Sequence, residues 1–291
     1  MSTNTKNYSV FFCGLSKNCI NTISNNLNFL TSFFSESEFE SYAIVVDSDS
    51  VDGTKEQLAN FDLNNNNVVY EDFDNLEGQF KNRIERIQHS RNKCIDLVSK
   101  FDDKKNIVYI PLDLDLDLFK YTSVKKFDEL INYCLNKDTA NGIFPFSSPF
   151  YYDIFALRAS NWVDVNSQYW VTKLKKYIKL GSFIFNYLLI FRYQINVESF
   201  EAKNIKVRSA FGGIGIYKVI NKIPKYNLSL KNPETVSEHV KFNYHFSELE
   251  ILKNWIVPAP AEHLEYRLLN SKEKIRYFFK TIFFDFVKEK K

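Results

Sequence analysis

From Tyr8 to Leu118 short, apolar, β-prone runs alternate with segments whose apolar residues recur at helical spacing. That alternation narrows the available folds more than any other feature of the chain. Tyr8–Phe12 reads as a strand, and Ile20, Ile23, Leu27, Leu30 and Phe34 then mark a helix. Tyr42–Val46 is a second strand, followed by the acidic turn Asp47–Thr54 and a helix over Lys55–Asn60. Val68–Tyr70 is a short third strand. Phe80, Ile84, Ile87, Cys94 and Val98 mark a long helix over Gln79–Lys100, and Ile107–Leu112 is a buried strand. Strands separated by helices pair in parallel and carry helices on both faces. The expectation is therefore an α/β, Rossmann-like fold with a mainly parallel, mixed sheet flanked by helices.

After Leu118 the rhythm loosens. Val124–Leu135 and Ser237–Lys253 read as helices, Ile143–Phe146, Ile154–Leu157 and Trp255–Val257 as strands, and Trp170–Arg192 as a basic, aromatic helix. Gly212 and Gly213 separate two apolar stretches, and Ser271–Lys291 reads as a final amphipathic helix. With no internal repeat and no Pro/Gly linker, the expected organisation is one continuous domain over residues 1–265 and a helical C-terminal extension over 266–291.

Composition removes several classes of function. Hydrophobic residues at 45% and charged residues at 25% exclude a wholly disordered or collagen-like chain. A net charge of +3 is too small for a nucleic-acid coat, and no basic aromatic motif of a nucleic-acid module is visible. Nucleic acid is not an expected partner. Cys13, Cys19, Cys94 and Cys134 lack zinc-knuckle or disulfide-framework spacing, which points to a reducing, cytoplasmic compartment. The N-terminus lacks the pattern of a secretory signal, and the longest apolar candidate, Gly181–Phe191, has 11 residues and contains Asn186, too short to span a bilayer. The 28 Phe and 17 Tyr fit a large core, a sugar-stacking surface or a lipid-facing one.

The sharpest chemical signal is Pro111-Leu-Asp-Leu-Asp-Leu-Asp-Leu118. If the strand continues through it, alternation puts Asp113, Asp115 and Asp117 on one side and the leucines on the other. Three like charges repel, and a hard divalent cation, Mg²⁺ or Mn²⁺, would neutralise them; otherwise they form a solvated acidic strand end. Asp47 ends the second strand, at the edge where open α/β sheets bind ligands, and its carboxylate could accept a base N–H. Asp52 or Ser50 would cap the next helix. Arg91 falls where the apolar stripe of its helix calls for an apolar residue, so it must meet a carboxylate or an anion such as a diphosphate; Arg83 and Arg86 flank it. The loop Ser209–Gly215 is no P-loop, and its paired glycines mark a turn or a close backbone approach. Glu238 follows Ser237, a possible N-cap, and would either favour the helix dipole or act as a general base. His245 reads as structural, and His263 as a further possible metal ligand.

In chain order these motifs resemble glycosyltransferases with the GT-A fold. Asp47-Ser-Asp-Ser-Val-Asp-Gly-Thr54 is similar to the D-D-G-S-T-D-G-T turn of family 2 enzymes, and closer to the E-N-D-S-T-D-G-T turn of the capsule-associated α-mannosyltransferase group. Gly14-Leu-Ser-Lys-Asn18, His89-Ser-Arg-Asn92, the Asp-Leu-Asp-Leu run, Tyr151–Arg158, Ser209–Tyr217 and Ser237-Glu-His-Val240 also look like that group. The resemblance covers roughly residues 8 to 245. It implies a nucleotide-binding half over about 8–118 and an acceptor half over about 119–265. It also implies a metal-dependent transferase using a UDP- or GDP-linked sugar and a glycan or lipid-linked acceptor. Asp47 would lie at the base, Arg91 near the diphosphate and Asp153 near the sugar. Asp113 and Asp115 would form the metal-binding D-x-D, with Asp117 a substitute, and Gly212, Gly213 and Glu238 would lie on the acceptor side. Ser48 replaces an Asp of the family 2 turn, and inverting and retaining chemistry both stay open. A non-catalytic binder of nucleotide sugars or glycans is the alternative from another class. A sugar-phosphate nucleotidyltransferase is another, although Cys13–Asn18 has a single Gly where such enzymes place a Gly-rich loop.

Two segments suggest where such an enzyme works. Trp170–Arg192 carries five Lys/Arg and no Asp/Glu, and residues 271–291 carry seven against three. Basic, Phe-rich amphipathic helices bind anionic membrane surfaces, so a peripheral place on the cytoplasmic face is expected. Apolar helix faces also serve as sheet cover or dimer contacts.

Overall fold

The computed structural model describes residues 7–101, 106–177, 188–227 and 237–260. Four strands form its parallel half: β1 (Ser9–Ser16), β2 (Glu40–Ser48), β3 (Val68–Phe73) and β4 (Ile107–Asp113). β1 lies between β2 and β4 and is parallel to both, and β3 extends the edge beyond β2. This central position explains the sequence of β1, SVFFCGLS, which is apolar on both faces. The other half adds β5 (Asn141–Ser148), β6 (Asn204–Val207), β7 (Ile216–Val219) and β8 (Glu248–Pro258). The order is β3-β2-β1-β4-β7-β5-β8-β6, with β7 antiparallel to both β4 and β5, β8 parallel to β5, and β6 antiparallel to β8. The mainly parallel sheet expected from the alternation is present, and the antiparallel pairings of β7 and β6 make it mixed.

Helices cover both faces. Val10 and Phe12 of β1 join α1 (Ile20–Glu36), α2 (Thr54–Asn64) and α5 (Val124–Leu135) in one core. Phe11 and Cys13 join α4 (Arg83–Val98) and α7 (Glu238–Asn243) in the other; in the chain the one-turn α3 (Leu76–Gln79) falls between α2 and α4, and α6 (Ser167–Tyr177) between α5 and α7. Much of the aromatic content is core. Phe12, Phe29, Phe33, Phe119, Phe127 and Trp255 pack ring to ring on one face, and Tyr109, Tyr217, Tyr226 and Phe242 on the other.

Five expectations need correction. The helix expected over Gln79–Lys100 is broken at Phe80–Asn82, because the Asn82 side chain accepts from Ile84 N (2.9 Å) and caps a new helix there. Ile154–Leu157 is loop; Ile154, Ala156 and Leu157 are apolar because the loop packs into the core. The helix expected over Ser237–Lys253 stops at Asn243, whose buried amide donates to Ser209 Oγ (2.9 Å) and Ala210 O (2.8 Å). His245 consequently sits in an exposed turn, and Leu249–Val257 belongs to the long β8. β4 ends at Asp113, so residues 114–118 form a turn instead of a strand. Finally, the basic aromatic helix begins at Ser167 and is described only to Tyr177, with Phe191–Tyr193 a 3₁₀ turn; residues 178–187 lie outside the described residues. So do His263 and the extension over 266–291.

Candidate functional site

All four parallel strands end on one edge of the sheet, and β1 sits where the chain order reverses. Ligands of open α/β sheets bind outside such an edge. Two loops there are cross-braced. Asn18 N donates to Ser50 Oγ (2.8 Å), Cys19 N to Thr54 Oγ1 (2.8 Å) and Ile20 N to Asp52 Oδ2 (3.1 Å). In return Val51 N donates to Asn18 Oδ1 (2.9 Å). Asp52 thus holds the first N–H of α1 while also accepting from Thr54 N (3.1 Å) at the start of α2. Ser50 caps neither helix.

Asp47 is the buried keystone of this turn. Its carboxylate accepts from Ser16 Oγ (2.7 Å), Ser50 Oγ (2.6 Å) and Ser50 N (3.1 Å), and the residue has no exposed surface. Burial raises its pKa, against the pull of the Ser16 and Ser50 hydroxyls. In the ligand-free protein this carboxylate is shut from solvent and its three donors brace the turn.

The carboxylates after β4 sort themselves. Asp113 accepts from Arg91 Nη2 at 2.6 Å. Asp115 reaches solvent, yet the surrounding chain, and next the charge of Asp113, push its pKa up to about 6. Asp117 accepts from Asn25 Nδ2 of α1 (3.2 Å). The leucines between them are all buried, so the turn keeps the in–out alternation that a strand would have had. Asn26 of α1 grips that turn: its amide donates to Leu114 O (3.3 Å) and Leu116 O (2.8 Å) and accepts from Leu118 N (3.2 Å). Thr22 Oγ1 adds a bond to Leu114 O (2.6 Å). Sequence reading passed over Asn26, although a polar residue between Ile23 and Leu30 on the apolar stripe of α1 was a usable signal. Asn26→Ala should cost ~2–3 kcal/mol by leaving buried backbone groups unpaired. Urea unfolding measures it, and a loss below ~0.5 kcal/mol would mean that the turn holds itself.

Arg91 lies beneath this turn, 1% exposed. Besides Asp113 it meets Glu238, with Nε 3.8 Å from Oε1, and its guanidinium lies over the rings of Phe211 (4.9 Å) and Tyr226 (5.7 Å). Among the described residues Nε and Nη1 have no hydrogen-bond partner. Burial disfavours its charge, but Asp113 first, then Tyr226 and Glu238, outweigh that and raise its pKa. Glu238 is nearly buried, and burial raises its pKa while Arg91 opposes. Ser237 precedes it without making a capping bond.

The glycine loop closes the other side. Asp153 accepts from Gly212 N (3.2 Å) and Ala156 N (3.2 Å), with burial pushing its pKa up to about 6 against those bonds. Gly213 O accepts from Asp113 N (2.8 Å). Gly213 has φ +86°, which strains any side chain there, and a Cβ would fall 2.5 Å from Leu116 Cδ1, so that leucine would also have to shift. The structure therefore gathers Arg91, Asp113, Asp115, Asp153, Gly212, Gly213 and Glu238. It keeps Asp47 inside the turn and turns Asp117 toward Asn25 of α1. Among the described residues no three His, Cys, Asp or Glu side chains form a metal-holding group.

No family model matches the chain, and no curated protein matches it. Solved structures do. One is S. aureus TarS in complex with UDP, at 12% identity and TM-score 0.41, covering 96% of this chain and 64% of that one. A second TarS structure is 59% covered by this chain. Mannosyl-3-phosphoglycerate synthase from Rubrobacter xylanophilus matches at 10% identity and TM-score 0.39, over 97% of this chain and 73% of that one. Glucosyl-3-phosphoglycerate synthase from Mycobacterium tuberculosis, in complex with UDP, matches at 14% and 0.31, over 60% and 51%. Likeness this distant fixes no chemistry.

Proposed function

We propose that the chain is a metal-dependent GT-A-type glycosyltransferase that moves a sugar from a UDP- or GDP-linked donor to a glycan or lipid-linked acceptor. The observation that carries the reading is the buried Arg91, paired with Asp113 at the end of β4, close to Glu238, and with Nε and Nη1 lacking a hydrogen-bond partner among the described residues. Guanidinium nitrogens without partners would gain from the oxygens of a diphosphate, whose approach to them would require the turn over Arg91 to move.

The donor set fits a cation in part. Asp113 and Asp115 offer hard oxygens, and the raised pKa of Asp115 marks a charge that gains from a cation beside it. Two carboxylates suffice for Mg²⁺ or Mn²⁺ when phosphates and waters complete the shell. Bound there, the metal would stabilise negative charge on the leaving diphosphate. Arg91 would add a second fixed positive charge on the same side. Asp153, which accepts from Gly212 N, would lie near the sugar, and Glu238 would take the proton of the acceptor hydroxyl in an inverting reaction.

A screen of nucleotide sugars with Mn²⁺ or Mg²⁺, reading donor hydrolysis and thermal shift, tests this. Metal-dependent hydrolysis of one UDP- or GDP-sugar is expected; no shift and no turnover with any donor would sink the reading.

We place the enzyme at a membrane surface. No helix among the described residues is long and apolar enough to cross a membrane. α6 exposes Trp170 (42%) beside Lys173, an aromatic and cationic pairing suited to anionic headgroups. The full chain should sediment with anionic liposomes, less so as salt rises and less so on deleting residues 271–291. Failure to pellet at low salt overturns this placement.

A further inference from the structure

His239 is 2% exposed, and neither ring nitrogen has a hydrogen-bond partner among the described residues. Such a ring is costly to bury without a purpose. It lies flat on Phe211, with centroids 3.6 Å apart at 17°, and edge-on to Tyr226 at 5.6 Å. Phe211 leads directly into Gly212, so the stack fixes the imidazole relative to the glycine loop. Nε2 lies 3.5 Å from Glu238 Oε1, a contact that a shift of about 0.5 Å would turn into a good hydrogen bond.

We propose that His239 is a positioning residue for Glu238: its ring, fixed against Phe211, presents an Nε2 N–H to Oε1 and leaves the other carboxylate oxygen for the acceptor hydroxyl. The inference rests on the transferase reading for the role of Glu238, but not for the contact itself. Burial, helped by Arg91, holds the imidazole pKa well below its ordinary value, so the ring acts as a neutral donor. The other charged and titratable groups felt at Glu238 are Arg91 from α4, Asp113 from β4, Asp153 from the loop after β5 and Tyr226 after β7. Of these, Arg91 also favours the carboxylate, while the two Asp residues oppose it.

Two variants of the full chain separate donor from ring. His239→Phe keeps the stack on Phe211 and removes the N–H; His239→Gln keeps an amide N–H and removes the stack. The Glu238 carboxyl is followed across pH by ¹³C NMR of Glu-labelled protein, assigned with Glu238→Gln, beside kcat and donor KM. In His239→Phe the Glu238 midpoint should move to higher pH, with kcat ~10-fold lower, donor KM unchanged and the acid limb of kcat moving with the midpoint. In His239→Gln the midpoint should stay near wild type. A wild-type midpoint in His239→Phe, or an equal displacement in His239→Gln, overturns the proposal. If His239→Phe fails to fold, His239→Met serves as the donorless variant. Failure of the transferase reading looks different: Glu238→Gln as active as wild type, or no transfer by wild type, with the midpoint still displaced in the donorless variant.

Discussion

Glu238→Gln is expected to bind donor like wild type and to lose transfer by ~10²-fold or more, the usual share of general-base catalysis. The substitution keeps the volume and one carbonyl oxygen toward Arg91, and Asp113 still pairs the guanidinium, so the fold should survive. The informative pair of numbers is kcat and donor Kd on one preparation. A fall in kcat alone identifies an interaction made in the transition state. Near-normal transfer would reduce Glu238 to a counter-charge for Arg91, and a product of retained anomeric configuration would remove the need for a base on the far face.

The second large effect is expected at Asp115. Asp115→Ala should abolish metal-dependent donor binding, since Asp113 alone, already engaged by Arg91, is a poor cation site. The same change should make the donor-free protein more stable at pH 7.5. The sign follows from the raised pKa: moved from 3.8 to about 6, the carboxyl takes up its proton more readily folded than unfolded. Its contribution to stability is therefore fully present below pH 3.8 and lost as pH rises through about 6. Asp115→Ala should thus melt higher than wild type at pH 7.5, with the gap closing by pH 4, and Mn²⁺ should raise the melting temperature of wild type only. Equal Mn²⁺-dependent donor affinity in the two proteins would remove Asp115 from the metal site.

What could be read in advance divides along a physical line. α5 matches its expected span, and α1 starts at its first stripe residue, because a single apolar stripe suffices to define them. The chain from Ser237 to Lys253 misled because Val240, Phe242 and Phe246 suit either period, and Asn243 ends the helix through partners in another loop. Arg91 was legible since a charge on an apolar stripe demands a partner, but that the partner is Asp113 depends on packing between α4 and β4. The surroundings of Asp47 were hidden for the same reason. Its position at a strand end was visible, whereas the closing of Ser16 and Ser50 over it belongs to two loops far apart in sequence. The ring pair Phe211 and His239, 28 positions apart, left no local pattern at all.

The cross-bracing of Asn18, Cys19 and Ile20 to Ser50, Asp52 and Thr54 bears on redesign. Four hydrogen bonds between the loops after β1 and β2 make them one mechanical part. Grafting the second loop alone from another protein would strip α1 of the acceptor for its first N–H and release Cys19 and Asn18 together. The transplantable unit is both loops with Ser16, moved as a matched set.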